Sequence, residues 1–434
     1  MQFYYIINKT IGGILKMEDI EKIKEKAKWC LNCKTKPCST NGCPMKTDIP
    51  EFIEKIKTGE YEEAYKILID NNIFSHVCSL VCPQDEQCEG SCVRGIKQTP
   101  TEIGELERFV NEWANQNNIE YKFSKMPKNG NKVAVIGSGP AGIECAINLL
   151  KNGYDVTIFE KDKIPGGILW YGIPDFRLSK DIVENIIKKV EDLGAKFQTN
   201  VEFGKDITLD SLIKDYDSIF IGIGAANSTV YSLAKEDADY IYKSDEFLRA
   251  YNENKFLKNL GKVVVIGGGN VAMDASRAAI KMGADSVKIL YRRDEEHMPA
   301  RKVELKDAIK DGVEFVSLTR VVSANIEEKK VTSVNCIKTE IVDGKAVDVE
   351  NAEFIVEANT VVFAIGLKPE KSLLEKEGIK LNDWGMIEID ENGKTNIDKV
   401  FAGGDVTESK STVCRALAAG KRAANGIMKL DILK

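Results

Sequence analysis

This 434-residue sequence has little histidine, no long apolar run and only a small net charge, and each of these features argues against a class of function. Only two histidines occur, His76 and His297, so a His-based catalytic centre has few candidates and a His-rich metal site has none. No apolar run reaches the ~20 residues that a membrane-spanning helix needs. The formal net charge of −6 gives no reason to expect nucleic acid or an anionic membrane as a partner.

The first sixteen residues are apolar, yet they differ from a signal peptide. They carry no positive charge ahead of the apolar part, and they lack a convincing small-residue cleavage site. We interpret them as a loose N-terminal extension, or Met17 as the start that translation uses. We expect the protein to be cytoplasmic.

The chain divides into a cysteine-rich helical region and two similar strand–helix units. Residues 17 to about 128 show helical spacing of apolar residues, and Pro127 with Asn129-Gly130 marks a boundary. From Lys132 the sequence reads strand, glycine turn, helix and strand, and the same plan begins again at Lys262. The predicted fold class is therefore α/β, with an N-terminal α-helical domain followed by two Rossmann-like nucleotide-binding domains.

The first glycine loop fits the GxGxxG pattern between a strand and a helix. Its residues are Gly137, Gly139, Pro140, Ala141 and Gly142. The glycines permit the turn, the close approach of a pyrophosphate and tight helix–strand packing. Glu160 ends the second strand of this unit, where an acid can bind the ribose hydroxyls of adenosine. The motif alone does not separate FAD from NAD.

The second glycine loop fits GxGxxA and predicts a site for NADP(H). Its residues are Gly267, Gly269, Asn270, Val271 and Ala272. The second strand of this unit ends without an acid and is followed by Arg292 and Arg293. An acid would repel the 2′-phosphate of NADP, whereas a guanidinium can bind it with paired hydrogen bonds. We therefore interpret the two arginines as the residues that select NADP(H) over NAD(H).

Eight of the eleven cysteines lie between Cys30 and Cys92 and predict a metal centre. The first group is Cys30, Cys33, Cys38 and Cys43, and the second is Cys78, Cys82, Cys88 and Cys92. Disulfides are not expected in a reduced cytosol. A four-cysteine zinc site usually presents two CxxC pairs, and only one occurs here. The irregular spacing and the two Cys-Pro pairs favour [4Fe–4S] clusters over zinc.

These motifs together resemble a known family of oxidoreductases. The sequence is similar to the small (β) subunit of NADPH-dependent glutamate synthase. The same module forms the N-terminal part of dihydropyrimidine dehydrogenase and the large subunit of NADH-dependent ferredoxin:NADP oxidoreductase. The resemblance covers nearly the whole chain and rests on both cysteine groups, both glycine loops, and the segments 166–180, 291–300 and 400–406.

The resemblance implies the domain boundaries and the residues of each site. It implies two [4Fe–4S] clusters in residues 1–128, an FAD-binding domain at 129–250 and 367–434, and an NADPH-binding domain at 251–366 inserted into it. One cluster is assigned to Cys30, Cys33, Cys38 and Cys92, and the other to Cys43, Cys82, Cys88 and Glu107. Cys78 is not a ligand in this pattern. FAD is expected near Gly166, Gly167, Arg177, Gly404, Asp405, Thr412 and Val413.

The expected chemistry is hydride exchange between NADP(H) and FAD, with single electrons passing through two clusters to a separate subunit. Hydride transfer needs orientation more than acid–base help, so no catalytic residue is predicted. A role as the small subunit of glutamate synthase is preferred, with that enzyme's large subunit as the partner. The large subunit of a bifurcating ferredoxin:NADP oxidoreductase, with a flavoprotein or ferredoxin partner, and the electron-input subunit of a dihydropyrimidine dehydrogenase stay open.

Two rival hypotheses belong to other classes. A disulfide reductase of the thioredoxin reductase kind would need a redox cysteine pair in the nucleotide-binding domains. The cysteines found there, Cys145, Cys336 and Cys414, are far apart in sequence. A non-catalytic docking subunit would not need intact motifs at both nucleotide sites.

Overall fold

The computed structural model describes residues 17–225, 227–233 and 239–432 of the chain. The interpretation of the first sixteen residues therefore concerns residues outside the described part. Within the described ranges, no helix is both long enough and apolar enough to cross a membrane.

The N-terminal region is helical, in agreement with its periodicity. Its helices are α1 (Met17–Ala27), α2 (Ile49–Thr58), α3 (Tyr61–Asn71), α4 (Ser75–Val81) and α5 (Ile103–Gln116). Gly59, with a φ of 81°, caps α2 in the left-handed conformation, so the helical spacing over 49–72 corresponds to two helices. The π-helical turn Cys38–Gly42 and the 3₁₀ turn Val93–Ile96 lie between these helices. Most of the clustered cysteines are thus held on short turns and loops.

The first strand–helix unit follows this region. Its elements are β1 (Lys132–Ile136), α6 (Pro140–Lys151), β2 (Asp155–Glu160), α7 (Ile168–Tyr171), α8 (Lys180–Asp192), β3 (Lys196–Thr199), α9 (Leu209–Asp215), β4 (Ser218–Ile221) and β5 (Asn227–Ser228). β1 is buried from its second residue onward, as expected for a central parallel strand covered on both faces.

The second unit follows, and after it the chain returns to the first sheet. The elements are β6 (Ile241–Lys243), α10 (Ser244–Asn252), β7 (Lys262–Ile266), α11 (Asn270–Lys281), β8 (Ser286–Leu290), α12 (Lys302–Lys310), β9 (Glu314–Val316), β10 (Thr319–Glu327), β11 (Lys330–Val342), β12 (Lys345–Glu357), β13 (Thr360–Phe363), β14 (Leu367–Lys368), α13 (Lys371–Lys376), β15 (Val400–Ala402) and α14 (Val413–Ile432).

Each unit is built on a parallel five-stranded sheet. The strand order is β15-β4-β1-β2-β3 in the first sheet and β6-β13-β7-β8-β9 in the second. Ile136 at the end of β1 is in register with Ile221 at the end of β4 and with Phe159, one residue before the end of β2, so the three strands end within one residue of each other where the first glycine loop leaves the sheet. Because β15 pairs with β4, the chain returns to the first sheet after building the second. The second unit is therefore inserted in the first, as the resemblance implies.

The second unit begins earlier than residue 251, the boundary expected from the sequence. β6 pairs with β13, and α10 contributes Phe247 and Leu248 to the core of the second unit. The expected boundary at 250/251 falls inside α10. A three-residue strand such as Ile241–Lys243 is too short to give a periodic signal.

An antiparallel sheet of β10, β11 and β12 was not predicted. The turn between β11 and β12 places Asp343 at φ 50° and Gly344 at φ 73°. Two consecutive residues at positive φ are typical of the type I′ hairpin turn that Asp-Gly favours. The sequence thus contained a signal for this hairpin.

The helical region and the first unit share one core. Phe52 and Leu106 of the helical region belong to the same cluster of buried side chains as Ile143 and Leu149 of α6. A continuous core holds the cysteine loops in a fixed position relative to the first glycine loop. That fixed relation is the structural basis of the site.

Candidate functional site

The first glycine loop joins β1 to α6 at the edge of the first sheet. A Cβ on Gly137 would lie 2.5 Å from the carbonyl oxygen of Gly222, and one on Gly142 would lie 2.0 Å from that of Gly137. Both positions therefore require glycine. Apart from its chain neighbours, no atom of the described residues lies within 4 Å of a Cβ on Gly139, which immediately precedes α6. Open space in front of the unpaired N–H groups of a helix N-terminus suits a pyrophosphate.

Segments that are distant in sequence converge on the start of α6. The backbone N–H of Gly166 donates to Ser138 Oγ at 2.9 Å, and a Cβ on Gly167 would lie 3.0 Å from the Cα of Gly139. A Cβ on Gly404, whose φ is +82°, would lie 2.9 Å from the Cβ of Ala141. The structure therefore brings together three segments predicted to bind FAD, at 137–142, 166–167 and 404–405.

Two acids lie beside these segments. The Glu160 carboxylate accepts hydrogen bonds from the backbone N–H and hydroxyl of Ser138 and, at 2.9 Å, from the N–H of Asp162. Glu160 thus holds the glycine loop in its turn, a role that the sequence did not predict. Burial raises the pKa of the Asp405 carboxyl to about 6.

Arg177 joins the two nucleotide-binding units, although it was predicted beside the flavin. Its guanidinium donates to Asp274 of α11 at 2.6 Å and pairs with Glu304 of α12 at 2.8 Å. All three side chains are nearly inaccessible to solvent, at 8% exposure or less. Arg177 is therefore committed to an interdomain ion pair network.

The second glycine loop joins β7 to α11 and repeats the geometry of the first. A Cβ on Gly267 would lie 2.2 Å from the carbonyl oxygen of Ala364, while no atom lies within 4 Å of one on Gly269. The N–H of Ala300 donates to the Gly268 carbonyl at 3.0 Å, and that of Arg301 donates to Asn270 Oδ1 at 3.0 Å. The loop after β8 therefore packs over the second glycine loop.

Arg292 and Arg293 begin the same loop. Arg292 is exposed and Arg293 is half-buried. The Thr339 hydroxyl donates to the Arg292 carbonyl at 2.7 Å, and the hydroxyl of the preceding Tyr291 donates to the His297 carbonyl at 2.8 Å. These bonds fix the backbone from which the two guanidinium groups extend.

Four cysteines line a cavity that we call the first cavity. They are Cys30, Cys33, Cys38 and Cys92. Two come from the loop after α1, one from the π-helical turn and one from the start of the 3₁₀ turn. These four residues are the first predicted ligand set.

A second cavity is lined by the second predicted ligand set. Cys43, Cys82, Cys88 and Glu107 line it, together with Cys78 and Cys414. Cys78 accepts a hydrogen bond from Asn72 Nδ2 at 3.3 Å. Among the described residues, no three donor side chains lie close enough to hold a single metal ion. The predicted ligands surround cavities, and cluster ligands likewise surround a group of atoms.

The ionisation of these donors suits a cationic centre. Burial raises the pKa of the Cys38 and Cys43 thiols to about 11. Burial likewise raises the pKa of the Glu107 carboxyl, which is enclosed although the residue is half-buried, to about 8. Near neutral pH such groups keep their protons unless a metal displaces them, because metal ligands bind deprotonated. The donor chemistry of both cavities therefore fits an iron–sulfur cluster.

Two contacts at the second cavity were missed from the sequence. Cys414, at the start of α14, lies 3.1 Å from Gln87 Oε1 although 327 positions separate them. Arg301 donates to Gln84 Oε1 at 2.9 Å, and Gln84 lines the second cavity. No local pattern could reveal either contact, since both join separate domains.

Comparison with known proteins follows the same division of the chain. Residues 131–423 match the family model described as pyridine nucleotide-disulphide oxidoreductase. Residues 8–119 match the model described as dihydropyrimidine dehydrogenase domain II, 4Fe-4S cluster.

Curated relatives and solved structures extend this comparison. The glutamate synthase (NADPH) small chain of Escherichia coli K12 is 36% identical, covering 93% of this chain and 90% of the relative. The NAD-dependent dihydropyrimidine dehydrogenase subunit PreT of Escherichia coli O157:H7 is 32% identical, covering 93% of each. FprA of Mycobacterium tuberculosis, solved with NADPH, is 21% identical with a TM-score of 0.59, covering 70% of this chain and 84% of that one. The matches confirm the predicted resemblance and the α/β fold class.

Proposed function

The chain belongs to the family of the glutamate synthase (NADPH) small chains, and from that premise we propose how its sites share one reaction. It is an NADPH-linked oxidoreductase with FAD and iron–sulfur sites. When bound, FAD accepts hydride from NADPH and the clusters carry single electrons. The observation that carries the proposal is the presence, in one chain, of two glycine-loop sites and two cysteine-lined cavities.

FAD binds at the first glycine loop. Gly137, Gly139 and Gly142 admit the pyrophosphate at the start of α6, and Glu160 stands where the adenosine ribose binds. Gly166-Gly167 and Gly404 support this assignment because they pack against the same loop. Thr412 precedes α14 and Val413 begins it, and the first N–H groups of a helix have no partner within the helix, so they can meet the edge of the flavin.

NADPH binds at the second glycine loop, with Gly269 leaving room for its pyrophosphate. Arg292 and Arg293 hold the 2′-phosphate, because their backbone is fixed beside the loop by Tyr291 and Thr339. This pair favours NADPH over NADH. Arg177 holds the NADPH-binding domain against the FAD-binding domain.

Two [4Fe–4S] clusters are held in the two cavities, by the ligand sets given above. The second cavity touches the FAD-binding domain through Cys414. The first cavity is lined by Leu31 and Val93, which are 62% and 40% exposed. The second ligand set therefore lies next to the FAD-binding domain. The first lies near the surface, where a partner subunit can bind.

The partner is a separate subunit, and we propose the large subunit of a glutamate synthase. This choice is supported by sequence identity, which is 36% to the Escherichia coli small chain and 32% to PreT. A dihydropyrimidine dehydrogenase subunit is the second candidate, since the chain covers 93% of PreT. The arginine pair favours the first candidate, because PreT is described as NAD-dependent. We propose a cytoplasmic location, because a reduced cytosol keeps cysteines available as cluster ligands.

Anaerobic stopped-flow absorbance tests this proposal. Mixing the yellow purified protein with NADPH is expected to bleach the flavin band, and NADH is expected to bleach it far more slowly. Dithionite, which needs no nucleotide site, serves as the control for a reducible flavin. Bleaching by dithionite alone would refute the assigned hydride exchange.

A further inference from the structure

Arg301 contacts two different domains through its backbone and its side chain. The backbone N–H donates to Asn270 Oδ1 at 3.0 Å, and Asn270 begins α11 at the second glycine loop. The guanidinium donates to Gln84 Oε1 of the helical region at 2.9 Å and lies 3.7 Å from the carboxylate of Asp85. The backbone of Arg301 therefore belongs to the NADPH site, while its side chain binds the helical region.

We propose that Arg301 is a positioning residue for hydride transfer, because its side chain fixes the NADPH-binding domain on the part of the chain that carries the FAD site. The inference rests on the proposed function, since it takes the two glycine-loop sites as those of NADPH and FAD. It assigns Arg301 no side-chain contact with either cofactor.

Gln84 is a fixed acceptor for the Arg301 hydrogen bond. Its Nε2 donates to the carbonyl oxygens of Cys78 at 3.1 Å and of Ser79 at 3.0 Å. Both N–H groups of the side-chain amide are thereby used, and its oxygen is left to accept from Arg301. Gln84 is 6% exposed, so turning the amide would leave buried carbonyl groups without a donor. The side chain of Gln84 therefore holds its orientation.

The helical region moves together with the FAD-binding domain, because the two share one cluster of buried side chains. A contact to Gln84 is thus a contact to the part of the chain that holds the first glycine loop. Arg177 links the same part to the NADPH-binding domain through Glu304. The guanidinium groups of Arg177 and Arg301 approach Glu304 Oε1 at 2.8 Å and 3.8 Å. All three parts of the chain therefore meet at one carboxylate.

Hydride transfer depends steeply on the geometry that this junction sets. The reacting atoms must approach to ~3–3.5 Å, and a misplacement of about 1 Å can cost on the order of 100-fold in rate. A nucleotide bound at the second glycine loop moves with its domain. A looser junction therefore changes its distance from the flavin while leaving the contacts that bind it in place.

Removing the Arg301 side chain separates positioning from binding. Arg301→Ala keeps the backbone N–H that donates to Asn270, so the second glycine loop keeps this support. Glu304 keeps its closer partner, Arg177, and is not left as an unpaired buried charge. We therefore expect slower hydride transfer with little change in the affinity for NADPH.

Anaerobic stopped-flow reduction of the flavin at increasing NADPH concentrations measures the limiting rate and the Kd separately. In Arg301→Ala the limiting rate is expected to fall roughly 10- to 100-fold, while the Kd changes by less than about threefold. The long-wavelength charge-transfer band of a nicotinamide stacked on a flavin should weaken as well. Arg301→Met keeps the apolar stem and carries the same prediction if Arg301→Ala does not fold. Lys302→Ala is the matched control, because Lys302 is the next residue and is exposed.

Hydrogen–deuterium exchange of the nucleotide-free protein gives a readout that needs no turnover. Opening of the junction exposes the segments on both sides of it. Residues 83–90 and 296–301 are therefore expected to exchange faster in Arg301→Ala than in the wild type, and at the wild-type rate in Lys302→Ala.

An unchanged limiting rate in both Arg301→Ala and Arg301→Met would overturn the inference. A higher Kd at an unchanged limiting rate would also overturn it, since Arg301 would then act on binding. Unchanged exchange at residues 83–90 and 296–301 would show that the side chain does not hold the junction. Failure of NADPH to reduce the flavin of the wild type would instead refute the proposed function.

Discussion

Replacing Arg292 and Arg293 with alanine is expected to weaken the use of NADPH without affecting NADH. A charge-assisted hydrogen bond to phosphate contributes roughly 1.5–3 kcal/mol when shielded, and about 1 kcal/mol at an exposed position. Arg292 is exposed and Arg293 is half-buried. We therefore expect losses of about 1 and about 2 kcal/mol, which correspond to roughly fivefold and 30-fold in kcat/KM.

The double variant is expected to lose between about 30-fold and about 150-fold for NADPH, the upper value being the additive limit, because two neighbouring groups that share one phosphate need not contribute additively. Steady-state reduction of ferricyanide, with NADPH or NADH as the electron donor, measures kcat/KM for each nucleotide. Arg320→Ala is the control, because Arg320 lies in the same domain but pairs with Asp348. Equal losses with NADPH and NADH would refute the reasoning, since the arginines would then support the loop rather than a 2′-phosphate.

Three further predictions concern the ligands and the ion pairs. Glu107→Ala is expected to lose iron and one cluster signal, whereas Cys78→Ser should keep its iron and both cluster signals. Iron loss from Cys78→Ser but not from Glu107→Ala would show that Cys78, and not Glu107, is the ligand. Arg177→Ala removes the hydrogen-bonded partner of the buried Asp274 carboxylate and the nearest cation of the buried Glu304, and should cost about 3 kcal/mol or more of unfolding free energy. Arg249→Ala, which breaks a more exposed pair, should cost under about 1 kcal/mol. Urea unfolding of the two variants compares their losses of unfolding free energy. Equal losses would contradict the argument that the buried ion pairs of Arg177 matter more than the exposed pair of Arg249. Burial raises the pKa of Glu144 from 4.5 to about 7, so its stability contribution is complete below pH ~4.5 and lost as pH rises through ~7. Glu144→Gln should therefore be more stable than the wild type at pH 8 by up to roughly 3 kcal/mol and equal at pH 4; melting curves at both pH values check this, and a pH-independent difference would count against it.

Local features of the site could be predicted from the sequence. Each glycine loop depends on a strand, a turn and a helix that are contiguous, and the steric need at Gly142 and Gly267 arises within that short stretch or its sheet partner. The cysteine groups could likewise be predicted to be metal ligands, because their number and spacing are unusual for an ordinary hydrophobic core. The assignment of these cysteines to two ligand sets came from the resemblance, and each set lines one of the two cavities.

Contacts between domains could not be predicted in this way. Arg177 meets Asp274 97 positions away, and Cys414 meets Gln87 only because α14 packs on α6 and reaches the helical region. A Cβ on Gly420 of α14 would lie 2.1 Å from the Ala141 carbonyl, which shows how closely these helices approach. Such proximity is a product of tertiary packing and leaves no trace in spacing.

Cofactor analysis of the anaerobically purified protein decides whether one chain joins a flavin to two iron–sulfur clusters. We expect one FAD and about eight irons, with matching acid-labile sulfide, per chain. Stoichiometric zinc, or flavin without iron, would contradict it.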